Sequence, residues 1–171
     1  AGGSALTDGE RIYAFFGSRG LYALDFEGRV LWEKDLGLMR TRNAFGEGAS
    51  PAVAKGLLVV NWDHEGEDFI VALDARTGRE RWRQGRDEPT TWSTPLIVSE
   101  GAKAQVVVGA TNGVRGYDLE TGALLWEAPG LTANVIPSPV FADGVVYAMS
   151  GFRGNALRAV RLQDAKGLVA G

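Results

Sequence analysis

One short pattern recurs along this chain: an aspartate, a tight turn closed by glycine, and a tryptophan four residues after that glycine. It occurs at "LDFEGRVLW" (24–32), at "LDARTGRERW" (73–82) and at "YDLETGALLW" (117–126). The aspartate can accept hydrogen bonds from the turn amides, and glycine tolerates the positive φ that a hairpin turn needs. Each copy therefore predicts a strand, a tight turn and a second strand that ends on tryptophan.

Two sequence markers repeat in phase along the chain. The turn glycines are spaced by 50, 44 and 45 residues: Gly28, Gly78, Gly122 and Gly167. A Ser or Thr followed by Ala or Pro is spaced by 46, 44 and 44 residues: Ser4-Ala5, Ser50-Pro51, Thr94-Pro95 and Ser138-Pro139. A shared period of this length is typical of solenoids and propellers.

Each period holds four short apolar runs, shown best by "TPLIVS", "QVVVGA", "VRGYDL" and "ALLWEA". Each run has the length and composition of a strand, and no amphipathic helix of ten residues is predicted. Four strands per unit, repeated radially, describe a β-propeller blade. We therefore predict an all-β fold, a partial β-propeller of about four four-stranded antiparallel blades, half of a seven- or eight-bladed ring. The predicted single domain 1–171 divides into blades at 4–49, 50–93, 94–137 and 138–171.

Composition excludes several classes of function. A formal net charge of −3 gives no electrostatic case for binding nucleic acid or an anionic membrane. The chain has no cysteine, so disulfides and thiolate metal ligands are excluded. It contains no apolar run long enough to span a membrane and no signal peptide. Because it begins without methionine, we interpret it as a processed or excised segment.

The repeat resembles the PQQ-like (quinoprotein-type) propeller repeat, Ala/Leu-x-Asp-x-x-Thr-Gly-x-x-x-Trp, over essentially the whole chain. The match is close at 73–82 and 117–126, and the turn at 25–28 is one residue shorter. The fourth unit departs from the pattern, because Gly171 takes the tryptophan position and leaves the outer strand of that blade open.

That family includes quinoprotein alcohol dehydrogenases, the outer-membrane assembly lipoprotein of the Bam complex and uncharacterised bacterial secreted proteins, and the chain resembles the last group most. The resemblance implies a periplasmic or otherwise extracytoplasmic location. Its full members close seven or eight blades, so we expect remaining blades or a head-to-tail homodimer to complete this arc.

The recurring tryptophans are predicted to dock one blade on the next. Trp32, Trp82 and Trp126 fall on the outermost strand of their units, where an indole can wedge between blades while its N–H finds a backbone acceptor. We assign them a structural role rather than a catalytic one.

The loops between second and third strands, and the segments between blades, are predicted to share one face of the propeller. Binding residues concentrate on such loops. The candidate ligand-binding residues on this face are Arg42, Asn43, Asp63, His64, Glu65, Asn112, Arg115, Arg153 and Asn155, with Arg40 and Asn134 beside them.

Two polar groups on this face have alternative interpretations. Asp63-His64-Glu65 is the densest acid–base or metal cluster, but it lacks zinc and calcium ligand spacing, which favours a solvated turn and no metal site. Four arginines lie on this face: Arg40, Arg42, Arg115 and Arg153. They could converge on an anion, or they could instead stack on aromatic rings and bond loop carbonyls.

We predict a non-catalytic module that binds or scaffolds a protein partner and holds no cofactor. The alternative is that the chain forms part of a PQQ- and calcium-dependent quinoprotein dehydrogenase whose catalytic motifs lie outside this segment. The family resemblance makes Trp62 or Trp92 a candidate floor for the quinone, but the dehydrogenase calcium and base motifs are not recognisable here. Fold alone does not decide between these functions.

Overall fold

The structure is a computed structural model that describes residues 3–99 and 103–169. Its regular elements are short strands and single 3₁₀ turns, as the recurrent breakers in the sequence predict. The strands are β1 (Leu6–Thr7), β2 (Ile12–Phe15), β3 (Leu21–Leu24), β4 (Val30–Lys34), β5 (Ala52–Ala54), β6 (Leu57–Trp62), β7 (Phe69–Asp74), β8 (Glu80–Gly85), β9 (Leu96–Val98), β10 (Gln105–Ala110), β11 (Gly113–Asp118), β12 (Leu124–Pro129), β13 (Val140–Ala142), β14 (Val145–Ser150), β15 (Ala156–Arg161) and β16 (Gly167–Leu168). The 3₁₀ turns are Gly17–Arg19, Arg42–Ala44 and Leu162–Asp164.

The strands form four sheets in chain order, and neighbouring strands within each repeat are antiparallel. Strands β1–β4 form the first sheet and β5–β8 the second, while β9–β12 form the third and β13–β15 the fourth. The predicted all-β, partial-propeller architecture is confirmed.

The fourth sheet differs from the others because it has three strands. After the turn at Gly167 the chain does not return along β15; β16 pairs in parallel with β12 of the third sheet, opposite Trp126 and Glu127. The amide of Val169 extends this pairing by donating to the Glu127 carbonyl at 2.8 Å. The outer strand that the pattern left open is therefore absent from the described part of this sheet, and Gly171 lies outside the described residues.

The aspartate turns have the predicted chemistry. In the second unit, Asp74 Oδ1 accepts hydrogen bonds from the amide and the hydroxyl of Thr77 at 2.9 and 2.8 Å. In the third, Asp118 Oδ1 does the same with Thr121 at 2.9 and 3.0 Å. Burial alone would raise the pKa of both aspartates, most strongly for Asp118, but the hydrogen bonds outweigh it and the pKa of each is lowered.

The second sequence marker forms a ladder between units. The amide of Ser4 donates to Ser50 Oγ at 2.8 Å, the amide of Ser50 to Thr94 Oγ1 at 3.2 Å, and the amide of Thr94 to Ser138 Oγ at 3.1 Å. Each hydroxyl thus bonds the equivalent residue one repeat earlier. Because this hydrogen bond joins equivalent residues of neighbouring units, the marker recurs with the same period as the units.

Successive sheets stack face to face around three apolar clusters. Alternate residues of β6 and β7 point to opposite sides, so Leu58 and Val71 pack against the first sheet while Val59 and Ile70 pack against the third. A third cluster lies between the third and fourth sheets and includes Val107 and Val146. Every internal sheet thus buries both of its faces.

Two of the recurring tryptophans contact the next sheet in the same way. Trp32, half-buried, donates its indole N–H to the Ala75 carbonyl at 3.1 Å, and Trp82, buried, donates to the Leu119 carbonyl at 2.8 Å. Each ring covers the turn glycine of the following unit so closely that a Cβ there would lie 2.8 Å from Trp32 or 2.5 Å from Trp82.

Trp126 departs from this arrangement. It is fully buried, but its indole donates to Gln105 Oε1 of its own sheet at 2.8 Å. The following turn does not lie under the ring, because a Cβ at Gly167 would have no described atom within 4 Å. The displaced β16 segment accounts for the difference, since the chain after this turn follows β12.

The turn glycines allow a matched test of the packing between sheets. Gly28 and Gly122 both have positive φ, of +83° and +75°, but a Cβ meets nothing within 4 Å at Gly28 and lies 2.5 Å from Trp82 at Gly122. Both alanine variants should lose about 1–2 kcal/mol from the left-handed backbone. Gly122→Ala should lose about 1–3 kcal/mol more from overpacking. Urea unfolding followed by far-UV circular dichroism measures both values, and equal losses would contradict a tight indole–turn contact.

Candidate functional site

Arg115 lies within β11, but the loops and segments that carry the other candidate residues gather at one end of the strands, opposite the aspartate turns. Four connections lie there, 16–20, 63–68, 111–112 and 151–155, because strands two and three of each sheet run antiparallel. The segments between sheets reach the same end and bond to these loops. We call this end the loop face.

Hydrogen bonds link the loop after β6 to the two segments beside it. His64 Nδ1 accepts from the amide of Arg40 at 3.0 Å, and the amide of Glu65 donates to the Arg40 carbonyl at 2.8 Å. On the other side, Glu65 Oε1 accepts from the hydroxyl of Thr90 at 3.0 Å. The Thr90 hydroxyl in turn accepts from the amide of Arg42 at 2.9 Å. The loop is therefore held rather than free.

A buried ion pair lies beneath this loop. Arg86 Nε donates to Asp63 Oδ1 at 2.7 Å and Arg86 Nη2 to Oδ2 at 3.2 Å, and neither side chain is exposed to solvent. Asp63 Oδ2 also accepts from Asn61 Nδ2 at 3.0 Å and from the Thr91 hydroxyl at 2.7 Å. The remaining guanidinium nitrogen, Nη1, donates to the Tyr117 hydroxyl at 2.7 Å. This network joins the second sheet to the third.

Two further carboxyl groups border the ion pair. Asp68 Oδ2 accepts from the amide of Glu88 at 2.7 Å, and Glu88 Oε2 accepts from the amide of Asn112 at 3.0 Å. Burial raises the pKa of both carboxyls above its ordinary value. Burial alone would lower the pKa of Arg86, but the adjacent Asp63 raises it, so the guanidinium stays charged.

The expected solvated turn at Asp63-His64-Glu65 is wrong for its first two residues. Asp63 and His64 are buried, and only Glu65 is exposed. His64 Nδ1 accepts from the Arg40 amide, and His64 Nε2 lies 3.0 Å from the Glu67 carbonyl. One acceptor and one donor nitrogen is the hydrogen-bonding pattern of a neutral imidazole. Within 3–99 and 103–169, no group of three His, Cys, Asp or Glu side chains could hold a metal ion.

The arginines of the loop face have separate partners. Arg42 Nε lies 3.4 Å from Glu65 Oε1, Arg115 Nη1 lies 3.1 Å from Glu88 Oε1, and the guanidinium of Arg153 lies 5.6 Å from the ring centre of Phe152. The stacking of Arg153 on Phe152 matches the alternative interpretation, whereas the ion pairs of Arg42 and Arg115 belong to neither interpretation. Because the three guanidinium groups have separate partners, they do not converge on one anion.

The remaining candidates lie at the surface of the loop face. Asn43, Asn112, Arg153 and Asn155 are exposed, and Asn112 Nδ2 donates to the Asp87 carbonyl at 2.7 Å. Asn43 and Arg153 have φ of 53°, a left-handed conformation that asparagine adopts more readily than arginine. These side chains are available to a partner, but they do not form one cluster with the buried network.

An apolar cleft of about 280 Å³ opens between the loop-face segments. Its lining comes from three segments between sheets and from the loop after β14: Phe45, Gly48, Trp92, Asn134, Ile136 and Phe152. Trp92 fixes the cleft, since its amide donates to the Val135 carbonyl and its indole to the Gly46 carbonyl, both at 2.8 Å. The phenyl ring of Phe45 lies 6.3 Å from the Trp92 ring. We call this site the aromatic cleft.

Neither candidate tryptophan provides a fitting floor for a quinone. Trp62 is buried, with Phe69 stacked on it at 5.7 Å and Phe15 at 5.9 Å, so a planar ligand has no access to its faces. Trp92 lines the aromatic cleft, whose lining carries no ionisable side chain. PQQ is a tricarboxylate and calcium requires carboxylate or carbonyl oxygens, so this lining does not fit the pair.

Sequence reasoning missed Arg86, Asp68, Glu88 and Tyr117 as parts of the site. The one signal was the run of ionisable residues at 86–88, directly after the apolar second sheet. It also missed Phe45, Ile136 and Phe152, because isolated apolar residues in separate loops show no pattern until the loops converge.

The described residues contain no helix that is long and apolar enough to cross a membrane. No curated protein sequence matches the chain significantly. Among solved structures, BamB from Moraxella catarrhalis superposes with a TM-score of 0.69 at 21% identity, covering 96% of this chain and 47% of that one. Quinohemoprotein alcohol dehydrogenase from Comamonas testosteroni gives a TM-score of 0.68 at 18% identity, covering 86% of this chain and 28% of the enzyme. This chain thus spans less than half of either protein.

The computationally designed Ika4 protein also superposes, with a TM-score of 0.65 at 20% identity over 92% of this chain and 89% of Ika4. At these identities the structural likenesses establish the fold alone. The sequence profile of the outer membrane protein assembly factor BamB matches residues 22–168. The chain therefore belongs to the BamB-like family of PQQ-like β-propeller proteins.

Proposed function

We propose that this chain is a non-catalytic, extracytoplasmic propeller segment that binds a protein partner through its loop face. The supporting observation is the aromatic cleft, where Phe45, Ile136 and Phe152 expose 55%, 59% and 43% of their surface. Contiguous exposed apolar surface on a soluble protein marks interaction sites. BamB is named an assembly factor, and family membership makes a protein partner the fitting ligand class.

The chemistry of the cleft favours an apolar side chain on a peptide backbone. Its walls are aromatic or aliphatic, and aromatic pockets anchor the few residues that supply most of the energy in protein interfaces. Asn134, at the cleft, is buried, and its Oδ1 accepts no hydrogen bond from any described residue. Because that oxygen has almost no accessible surface, a ligand in the cleft would contact the aromatic and aliphatic walls rather than this amide.

The surroundings of the cleft supply a polar rim. Asn43, Arg153 and Asn155 are exposed in the neighbouring loops, which is the arrangement of an apolar centre with a polar border in protein interfaces. The buried network of Asp63 and Arg86 lies at the same end of the fold, and both oxygens of the Asp63 carboxylate accept hydrogen bonds within it. Its role in this proposal is to hold the loops in place.

A displayed library of random twelve-residue peptides, selected on the immobilised chain, tests the proposed function. Selected peptides should share one aromatic or large aliphatic residue and should bind a soluble chain in fluorescence anisotropy. Ile136→Glu, which places a charge in the cleft, should weaken binding at least tenfold, about 1.4 kcal/mol. Leu38→Glu changes a residue that is 79% exposed and outside the cleft lining, and it should leave the affinity unchanged.

Two results would contradict this function. One is a selection that yields no peptide above background. The other is a set of peptides whose affinity is the same for the Ile136→Glu variant and the unmodified chain. Release of product from a quinoprotein substrate by the chain alone would instead support the enzymatic alternative.

A partner bound to the loop face would leave the outer faces of the first and fourth sheets uncovered. Further propeller blades or a second copy of the chain placed head to tail are the two arrangements that the repeat allows.

A further inference from the structure

The polar network between the second and third sheets contains more carboxyl groups than cations. Charged groups that are removed from water need an opposite charge beside them. If every group in this network were ionised, three carboxylates would face two guanidinium groups, and one carboxylate would lack a cation. The five groups are Asp63, Asp68, Glu88, Arg86 and Arg115.

The first guanidinium group belongs to Asp63. Arg86 directs Nε and Nη2 to the two Asp63 oxygens, and its Nη1 donates to the Tyr117 hydroxyl at 2.7 Å. All three nitrogens of Arg86 therefore have a partner, and none of these bonds goes to Asp68.

The second guanidinium group belongs to Glu88. Arg115 Nη1 lies 3.1 Å from Glu88 Oε1, and Arg115 Nε lies 3.4 Å from Glu127 Oε2 at the edge of the network. Among the described residues, no cation lies within 4 Å of the Asp68 carboxyl, whose Oδ2 accepts from the amide of Glu88 at 2.7 Å. Asp68 is therefore the carboxyl group left without a counter-charge.

The surroundings of Asp68 disfavour its ionised form. Burial raises the pKa of Asp68, and the Asp63 carboxylate raises it further; the bond from the Glu88 amide and the charge of Arg86 act in the opposite direction without cancelling the rise. The charged or titratable groups around it come from three elements: Asp63 of the 63–68 loop, Arg86 and Glu88 of the segment after β8, and Arg115 and Tyr117 of β11.

We propose that Asp68 is a pH-sensitive contact between the 63–68 loop and the segment after β8. Neutral Asp68 stays buried and accepts the amide of Glu88. Ionised Asp68 places a second carboxylate beside Asp63; because Asp68 is 9% exposed, its side chain can turn to water, which breaks the bond to Glu88. That segment continues to Trp92, so ionisation loosens the part of the chain that carries this ring into the aromatic cleft. The proposal does not depend on what the cleft binds.

Urea unfolding at several pH values tests the contact through Asp68→Asn. A carboxyl whose pKa is higher in the folded chain gives its full stability below the unfolded value, about 3.9, and loses it as the pH rises through the folded value. Asparagine keeps an acceptor oxygen but does not ionise. The variant and the wild type should therefore have similar urea midpoints at about pH 4, and the midpoint of the variant should become the higher one as the pH rises to about 8.

Asp74→Asn is the matched control. The bonds from Thr77 lower the pKa of Asp74, so the sign is reversed: the wild type should become more stable than this variant as the pH rises above about 4. A midpoint difference for Asp68→Asn that stays constant with pH, or that changes in the same direction as for Asp74→Asn, would overturn the proposal.

NMR on the unmodified chain gives a second measurement that needs no variant to fold. The ¹³C shift of the Asp68 carboxyl should titrate at a higher pH than an aspartate of the unfolded chain. The amide resonances of Glu88 and Trp92 should move with the same midpoint. Titration of Asp68 at or below its ordinary pKa, or amides of Glu88 and Trp92 that do not follow it, would show that Asp68 does not control this segment.

Discussion

Replacing Trp82 with alanine is expected to lower the free energy of unfolding by about 3–5 kcal/mol, the range for truncating a large buried aromatic side chain. The indole is 9% exposed, donates to the Leu119 carbonyl and covers the turn at Gly122. Its removal leaves a cavity between the second and third sheets and an unpaired carbonyl. Urea unfolding followed by far-UV circular dichroism gives the value.

A conservative change at Trp82 separates the contribution of the aromatic ring to stability from that of the hydrogen bond. Trp82→Phe keeps an aromatic ring but removes the indole N–H, and it should lose less than the alanine variant, with about 1 kcal/mol assigned to the hydrogen bond. A loss below 1 kcal/mol for Trp82→Ala would show that this residue does not dock the two sheets.

Breaking the buried ion pair should have a similar effect. Arg86→Met is expected to destabilise the fold by about 3–5 kcal/mol, because it leaves the Asp63 carboxylate buried without its cation. Both side chains are shielded from water, so solvent screening does not reduce this value. The free energy of unfolding in urea is again the measurement.

A double-mutant cycle identifies the cause. Asp63→Asn combined with Arg86→Met should cost less than the sum of the single changes by about 0.5–3 kcal/mol, since the second change removes the stranded charge. Arg29→Met is the control: its ion pair with Asp25 is largely exposed on the arginine side, so this change should leave the free energy of unfolding almost unchanged. Additive losses in the cycle would mean that the two side chains do not act as a pair.

The sequence predicted where the loops of the candidate site lie, but only in part which of their side chains are buried and bonded. The strand order of a propeller predicted that the loops of His64 and Arg153 share one face, and both loops lie at the same end of the strands in the structure. The expectation that Asp63 and His64 are solvated failed, because each has a partner from another segment. Arg86, after β8, pairs with Asp63, and the amide of Arg40, in the segment before β5, donates to His64. A polar residue in a loop is buried only when a distant partner satisfies it, and sequence spacing does not reveal that partner.

The tryptophans, too, follow the sequence pattern only in part. Trp32 and Trp82 reach the next sheet because the following aspartate turn lies beneath each ring. Trp126 has the same local sequence, yet its indole bonds Gln105 of its own sheet. The difference comes from the path of the chain after Gly167, which pairs with β12 rather than with β15.

The sequence by itself determined the repeat, the strands and the turns, since these depend on residues within a few positions of one another: an aspartate that bonds turn amides, a glycine with positive φ and alternation of apolar residues. Only the tertiary structure decided which strand β16 joins, which carboxylate faces Arg86 and which loop residues meet to form the aromatic cleft. Those outcomes depend on contacts between residues 20 or more positions apart, whose free energy comes from burial and from pairing of polar groups in the packed molecule.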